Sequence, residues 1–235
     1  MPSKLFLIPN VISEEESMPV LCGNLAGIVK NLRLFFVEEE KAARRLLRKI
    51  DSNFPLLECE FILLNEHTDP KDIADYIKKI ENKDAGMISE SGCPCVADPG
   101  GGLVLKAHKQ GIEVVPLVGA SSIILALMAS GLTGQSFSFN GYLPKDKPSR
   151  LQKLKTLERR SVLETQTQIF METPYHNQSL FEDILSACSK NTLLCIACDL
   201  TGLAQSVNTM TIGEWKNKTI SLNKKPVLFL LEGKT

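Results

Sequence analysis

Short, nearly continuous apolar segments alternate with amphipathic segments through the first half of the chain. The apolar segments predict β-strands at residues 4–9, 33–38, 56–64, 85–89 and 112–117. Helices are predicted between them at residues 19–32, 39–50, 69–80 and 103–111, the third with Asp69 as N-cap and Pro70 in its first turn. Strands without polar alternation, separated by helices, indicate a parallel sheet that is covered on both faces.

The pattern changes in the second half of the chain. An apolar helix at residues 123–130 is followed by five strand candidates, at residues 137–143, 166–172, 192–200, 206–212 and 226–232. Only two long helices, at residues 147–160 and 175–189, separate them. Strands that follow one another without a crossover helix favour a mixed or antiparallel sheet. The sequence therefore predicts two α/β domains, residues 1–117 and 118–235.

Charge composition limits the classes of partner. Lys plus Arg equals Asp plus Glu at 27 each, so the molecule as a whole has no field that attracts DNA, RNA or an anionic membrane. An RNA partner would need a local basic cleft, for which the candidates are Arg44, Arg45, Lys145, Lys147 and Arg150. The chain start lacks a signal-peptide pattern and no apolar run approaches a membrane span, so a cytoplasmic protein is expected.

Common catalytic and metal-binding motifs are absent from the sequence. There is no dinucleotide or P-loop glycine motif, no H-E-x-x-H and no G-x-S-x-G. Two cysteine pairs, Cys93-x-Cys95 and Cys195-x-x-Cys198, suggest a metal or redox site. Their spacings differ, no histidine lies nearby, and the second pair belongs to an apolar run typical of buried thiols, so no metal is predicted.

Three unusual turns follow predicted strands, where ligands bind in open parallel sheets. They are SESGCPCVADPGGG (89–102), PLVGASS (116–122) and ETPYHN (172–177). Glycine allows a backbone to approach a ligand closely, and proline restricts the loop. The alternative for the first turn is a structural strand-to-helix connection in which the three glycines form a flexible joint.

These turns match, in order, the motifs of a known enzyme family. S-D-A-G-T-P-x-I-x-D-P-G is matched at Ser89, Gly92, Pro94, Val96, Asp98, Pro99 and Gly100. G-I-x-V-V-P-x-P-G-P-x-x-A is matched at Gly111, Ile112, Val114, Val115, Pro116 and Gly119. Residues 126–144 match A-L-x-x-[AS]-G-L and F-x-[FY]-x-G-[FY]-L-P, and weaker matches follow at 170–177, 197–201 and 227–233. The chain resembles the tetrapyrrole methylase family of S-adenosylmethionine-dependent methyltransferases, in particular its branch of small-subunit ribosomal RNA 2′-O-ribose methyltransferases.

The resemblance implies a homodimeric methyltransferase that binds S-adenosylmethionine in a cleft between its two domains and acts on ribosomal RNA or the small ribosomal subunit. The cofactor contacts that it implies are Pro9, Gly92, Cys93, Val96, Gly119, Ser121, Ser122, Met171, Leu200 and Pro226. Core packing is the alternative for Val96, Met171 and Leu200. A ribose hydroxyl also needs a base, for which Glu90, Glu172, His176 and Asp199 are candidates, and each of these could instead serve as a cap or brace.

The chain departs from the branch where the acceptor would be recognised. The P-T-P-I-G-N-L motif is replaced by the segment that begins at Pro9 and Asn10, without its glycine, and the arginine of A-R-E-L-T is Cys198. Two alternatives therefore stay open: a methyltransferase of a tetrapyrrole-like or other small molecule, and a cofactor-binding or RNA-binding relative without activity.

Overall fold

The computed structural model describes residues 3–15 and 25–234 and divides the chain into two compact units. Residues 3–14 and 25–121 belong to the first unit, and residues 122–234 belong to the second. The boundary lies four residues beyond the predicted position, residue 117. Part of the predicted helix at 19–32 falls outside the described residues.

The first unit is a parallel α/β sheet. Its elements are β1 (Lys4–Ile8), α1 (Leu25–Val29), β2 (Leu34–Val37), α2 (Glu40–Ile50), β3 (Glu60–Leu63), α3 (Asp72–Ile80), β4 (Ala85–Ile88), α4 (Gly101–Lys109) and β5 (Glu113–Pro116). The strand order is β3-β2-β4-β1-β5, and every neighbouring pair is parallel. All five carboxyl ends therefore meet at one edge, which confirms the predicted sheet.

Both faces of this sheet are covered, as the unbroken apolar strands predict. On β2, Phe35 packs into a cluster with α2, whereas the next residue, Phe36, packs into a separate cluster with α3 and α4. Both rings are fully buried. Successive side chains of a strand point to opposite faces, so a strand between two helical layers has to be apolar at every position.

Two local predictions in this unit are wrong. Residues Leu56–Glu58, predicted as the start of the third strand, form a 3-10 turn, and β3 begins only at Glu60. Asp69 does not cap α3: its carboxylate accepts a hydrogen bond from the Lys71 amide in a separate turn, and the helix begins at Asp72. An apolar run alone does not distinguish a strand from a short turn that packs its side chains.

The second unit contains a mixed sheet. Its elements are α5 (Ser122–Ser130), β6 (Phe137–Tyr142), α6 (Lys147–Glu164), β7 (Thr167–Met171), α7 (Asn177–Ala187), β8 (Leu193–Cys198), β9 (Ser206–Thr211), α8 (Ile212–Trp215) and β10 (Val227–Glu232). The order is β6-β7-β10-β8-β9, in which β6 and β7 are parallel and the other pairs are antiparallel. All five predicted strands are present, and the prediction of a mixed sheet is confirmed.

Helices cover both faces of the mixed sheet. Leu154 of α6 and Phe181 of α7 pack with Phe229 on one face, and Ile123 and Ala126 of α5 pack on the other. Within the described ranges, no helix has the length and apolar character that crossing a membrane requires.

A buried ion pair joins α6 to α7. The Nε of Arg150 donates to the Asp183 carboxylate at 2.8 Å, and its Nη1 donates to the carbonyls of Pro144 and Lys145 at 3.3 and 2.7 Å. The Asp183 side chain is 2% exposed, and its second charged neighbour is the exposed Lys147 at 3.2 Å. Burying a carboxylate this deeply is costly unless a hydrogen-bonded cation compensates its charge.

We expect Arg150→Ala to lower the free energy of unfolding by about 3–5 kcal/mol, because it leaves the Asp183 charge buried without its main partner. Arg159→Ala, at an exposed position of the same helix, should change it by no more than about 0.5 kcal/mol. Urea unfolding of the two variants measures the difference, and equal midpoints would contradict this assignment.

Candidate functional site

The candidate site is built at the carboxyl edge of the parallel sheet. There β1 lies between β4 and β5, so the segments that follow these three strands are neighbours. They begin at Pro9, Ser89 and Leu117. Two of the three turns singled out in the sequence, 89–102 and 116–122, therefore meet at one edge.

Asn10 fixes the first of these turns to the end of β1. Its side-chain amide nitrogen donates to the carbonyls of Ser89 at 3.0 Å and Glu90 at 2.9 Å. Its backbone N–H donates to the Gly92 carbonyl at 2.8 Å, while its side-chain oxygen accepts from the Val11 N–H. Asn10 is only 4% exposed, so these bonds compete little with water. The segment that lacks the family's glycine turn thus holds the cofactor-type loop in place.

Gly119 packs directly against Pro9, between the ends of β5 and β1. A Cβ added to Gly119 would lie 2.1 Å from Cβ and 2.3 Å from Cγ of Pro9, so only glycine fits. Two residues further, Ser121 ends the first unit, and Ser122 begins α5. Backbone N–H groups at a helix start are free to bind an anionic group such as a carboxylate.

The backbone at Gly92 and Cys93 lies beside the β5 turn. Gly92 has φ +68°, and the Cys93 thiol donates to the Ala120 carbonyl at 3.4 Å. Burial raises the pKa of that thiol, which keeps it protonated and able to donate at neutral pH. Val96 is 47% exposed, so core packing does not account for it.

One carboxyl group in this loop, that of Asp98, has a pKa close to neutral pH. The pKa of Asp98 is raised to about 7, first by burial and then by the nearby carboxylates of Glu38 and Glu90, while a hydrogen bond from Ser89 opposes the rise. Glu38 follows β2, and its carboxylate accepts from the Glu90 backbone N–H at 2.9 Å. Burial and like charge together favour the protonated form of Asp98.

The alternative interpretation of the triple glycine was a flexible joint, and the structure does not support it. Gly100 has φ +122°, and a Cβ there would lie 2.6 Å from the Met87 sulfur and 2.9 Å from that of Cys95. Gly101 and Gly102 lie in the first turn of α4 with open space around their Cα atoms. Only the first of the three positions requires glycine.

The remaining cofactor candidates lie at one end of the second unit's sheet. Met171 ends β7, Leu200 follows β8, and Pro226 precedes β10, which runs antiparallel to both strands. The Asp199 N–H donates to the Pro226 carbonyl at 2.9 Å, so two of these segments are bonded directly. Leu200 is buried and Met171 half-buried in the same apolar cluster, whereas Pro226 is exposed.

Two of the candidate bases of the second unit, Asp199 and Glu172, accept hydrogen bonds within their own loops. The Asp199 carboxylate accepts from the Ala204 N–H at 2.9 Å, and a Cβ on Gly202 would lie 2.2 Å from it. Asp199 therefore braces its own turn. Glu172 accepts from the Thr173 N–H, and His176 is exposed at the start of α7 without a side-chain cap bond. Glu90, in the first unit, is also exposed.

The predicted basic cleft loses one member. Arg150 is buried and bonded to Asp183, so it is not available to a phosphate, and Lys147 lies 3.2 Å from the same carboxylate. Arg44 and Arg45 lie on α2 of the first unit, half-buried and exposed respectively. The cysteines of both predicted pairs are free thiols, and no cluster of metal-ligand side chains occurs in residues 3–15 and 25–234.

Sequence reasoning missed Asn10, Glu38 and the role of Asp98. Asp98 stood in a matched motif, but its shifted pKa depends on Glu38, which is far away in the chain. Glu38 did carry one local signal, because it is the polar residue that ends the predicted strand at 33–38. Asn10 had none, since it occupies a position at which the family pattern is broken.

Comparison with known proteins gives a consistent result. No family model matches the chain. The ribosomal RNA small subunit methyltransferase I of Thermotoga maritima is 32% identical over 191 residues, which cover 78% of this chain and 81% of the relative. The protein of the same name from Escherichia coli O157:H7 is 27% identical over 227 residues, 92% of this chain and 76% of the relative. The crystal structure of the methyltransferase CobJ matches 99% of this chain and 95% of that one with a TM-score of 0.63 at 14% identity, which supports the fold.

The carboxyl edge of the parallel sheet suits a ligand that has a charged amino-acid end and an apolar ring system. Backbone groups at Gly92 offer hydrogen bonds, while Val96 and Val118 present apolar side chains that are 47% and 77% exposed. The carboxyl groups of Glu38, Glu90 and Asp98 favour a positively charged ligand. These properties fit S-adenosylmethionine, with its sulfonium, amino and adenine groups.

We expect Gly119→Ala to lower the free energy of unfolding by about 1–3 kcal/mol, because the added methyl group overlaps Pro9. Gly102→Ala should have no destabilising effect, since nothing lies within 4 Å of the added methyl group and alanine favours a helix. Urea unfolding of the two variants measures both effects, and a harmless Gly119→Ala would contradict the close contact.

Asp98 makes stability depend on pH in a defined direction. Because its pKa is raised from 3.8 to about 7 on folding, its contribution is full below pH 4 and is lost as the pH rises toward 7. We compare the free energy of unfolding of Asp98→Asn with that of the wild type. The difference should rise by about 1–2 kcal/mol in favour of the variant from pH 4.5 to pH 8, a value reduced to account for solvent screening. Urea unfolding at the two pH values measures the gain, and a difference that does not change with pH would show that Asp98 titrates normally.

Proposed function

We propose that this chain transfers the methyl group of S-adenosylmethionine to a ribose 2′-hydroxyl of ribosomal RNA. The chain belongs to the ribosomal RNA small subunit methyltransferase I family and is an S-adenosylmethionine-dependent methyltransferase. The observation that supports ribosomal RNA as the acceptor is the match to the Thermotoga maritima relative over 81% of that protein's length, whereas the ribose hydroxyl rests on the resemblance of the sequence motifs. The proposal retains the homodimer that the resemblance implies and the cytoplasmic location expected from the sequence.

The loops of the first unit supply the proposed binding groups. We assign the backbone at Gly92 and Cys93, together with Ser121 at the end of the first unit, to the polar end of the cofactor. Ser122, the first residue of α5, is a separate contact that the resemblance implies. The exposed Val96 is assigned to its apolar portion. Gly119 and Pro9 set the distance between the β1 and β5 ends, so they determine how closely the two loops flank the ligand.

S-adenosylmethionine supplies a methyl group on a positively charged sulfur that leaves as a neutral thioether. The task left to the protein is to align the acceptor oxygen and to exclude water, a proximity effect that accounts for several kcal/mol of the barrier. As the new carbon–oxygen bond forms and the carbon–sulfur bond breaks, the hydroxyl proton has to move to a base.

Asp98 is the base that we favour over the three carboxylates found from sequence. A pKa of about 7 lets it exist in both protonation states near neutral pH, which suits proton transfer. Asp199 is engaged in its own turn, Glu90 is exposed, and Glu172 accepts a hydrogen bond from the Thr173 N–H. Asp98 also lies in the loop assigned to the cofactor, beside Glu38 and Glu90.

The central experiment combines cofactor binding with methyl transfer. Calorimetry with S-adenosylmethionine should detect binding to the wild type, and labelled methyl groups should enter small-subunit ribosomal RNA purified from a strain that lacks the protein. Because a 2′-O-methyl group removes the hydroxyl needed for alkaline cleavage, the labelled position should resist alkali. Gly119→Ala should lose most of the transfer, whereas the matched variant Gly101→Ala, on the open side of α4, should retain it.

The possible outcomes separate the alternatives. Cofactor binding without transfer to any RNA would support the inactive relative, and transfer of label that remains sensitive to alkali would place the methyl group on a base. Transfer to a small molecule and not to RNA would overturn the proposed acceptor.

A further inference from the structure

A groove in the first unit lies along α2 and has a volume of about 580 Å³. The α2 groove is lined by Glu39, Glu40, Lys41, Arg44, Arg45, Arg48 and Leu56. Four of these side chains are cationic and two are acidic. The groove starts one residue beyond Glu38, whose carboxylate accepts a hydrogen bond from the loop of the candidate site. It therefore begins at the same sheet edge.

The cations share one face of α2 because of their spacing. Arg44 and Arg45 each lie three or four residues from both Lys41 and Arg48, the repeat that places side chains on the same side of a helix. The opposite side, with Ala43, Leu46 and Leu47, is buried in the core. Seven residues of helix separate the outer two cations by about 10 Å. The charges are thus distributed along a line and not gathered at one point.

Both carboxylates of the groove are already bonded. Glu39 is the N-cap of α2 and accepts from the backbone N–H groups of Lys41 and Ala42, at 2.8 and 2.6 Å. Glu40 lies 2.7 Å from the Nε of Arg44. Their charges offset part of the positive charge. Glu14 adds a third carboxylate beside Arg45, and Arg48 donates from Nη1 to the Ser52 carbonyl, so these two arginines would bind a phosphate through their other N–H groups.

Arg44 is held in place before any ligand arrives. Its guanidinium carbon lies 4.3 Å from the centre of the Phe61 ring, and its Nε–H donates to Glu40. Its two terminal nitrogens have no bond of their own within the described residues, so they can take part in a bidentate contact with phosphate. Arg45 is positioned by Glu14, 2.6 Å from its Nη1, in the segment that follows β1. Fixed arginines lose little side-chain entropy on binding.

We propose that the α2 groove docks the phosphate backbone of the RNA acceptor and guides it to the carboxyl edge of the parallel sheet. The inference rests on the proposed function and extends it by naming the surface that holds the acceptor. A polymer with repeated phosphates can satisfy a line of cations, whereas a single small anion meets one or two of them. Leu56 in the lining and the fully exposed Leu57 beside it give apolar surface for a sugar or base.

The test compares two double variants that remove the same charge. Arg44→Gln with Arg48→Gln neutralises the α2 groove, and Lys155→Gln with Arg159→Gln neutralises two exposed cations of equal spacing on α6. Binding of fluorescently labelled small-subunit ribosomal RNA fragments is measured by anisotropy over a range of salt concentrations. The α2 variant should bind about tenfold more weakly, and the slope of log affinity against log salt should fall by about 1–2, one for each lost phosphate contact. The α6 variant should bind as the wild type does.

Further measurements make the result unambiguous. Calorimetry should show unchanged S-adenosylmethionine affinity in both variants, and urea unfolding should show that both are folded. If the double variant is unstable, the single variant Lys41→Gln takes its place. It changes an exposed lysine on the same face of α2 and should also weaken RNA binding. Inorganic phosphate and AMP serve as small-anion probes, and they should bind far more weakly than RNA.

Several results would overturn the inference. They are unchanged RNA affinity in the α2 variant, an equal loss in the α6 variant, or tight binding of phosphate or AMP in place of RNA. If the wild type methylates RNA and the α2 variant keeps the same KM for RNA, the docking surface is wrong while the proposed function stands. If the wild type binds the cofactor but neither binds nor methylates RNA, the proposed acceptor itself is wrong.

Discussion

The candidate site depends on the position of β1 between β4 and β5. Only a central strand can hold the loops of both neighbours, and the two residues after β1 do so by different means. Asn10 binds one loop through three hydrogen bonds at 2.8–3.0 Å, and Pro9 packs directly on Gly119 of the other. Buried polar networks of this kind are stable only when every member is satisfied. The loops are thus ordered by the sheet and do not need a ligand to bring them together.

The architecture could be predicted from sequence because hydrophobic periodicity reports burial directly. Continuous apolar strands such as residues 34–37 occur where helices cover both faces, and the change of rhythm after residue 130 marks the mixed sheet. Boundaries were less predictable, since the apolar pair Leu56 and Leu57 continues the strand-like pattern although it lies in a 3-10 turn with Leu57 fully exposed. The burial of Arg150 was not predictable either, because it depends on Asp183 of another helix.

The site could be predicted only in part, for a related reason. Glycine and proline mark the loop at 89–102 locally, but the chemistry of Asp98 arises from a carboxylate more than fifty residues away in the chain. Asp199 shows the opposite case. It occupies a motif position, but its carboxylate accepts a hydrogen bond from the N–H of Ala204. A motif locates a residue in the fold, whereas its hydrogen-bond partners determine which of its atoms remain available for chemistry.

The contact between Pro9 and Gly119 also bears on how the sequence can change over time. With 2.1 Å between the proline Cβ and the site of an added methyl group, any side chain at 119 overlaps an atom that every residue except glycine carries at position 9. A lineage that acquires a side chain at 119 would therefore need glycine at position 9 or a shifted backbone. The two positions should therefore vary as a pair among homologues, although more than a hundred residues separate them in the chain.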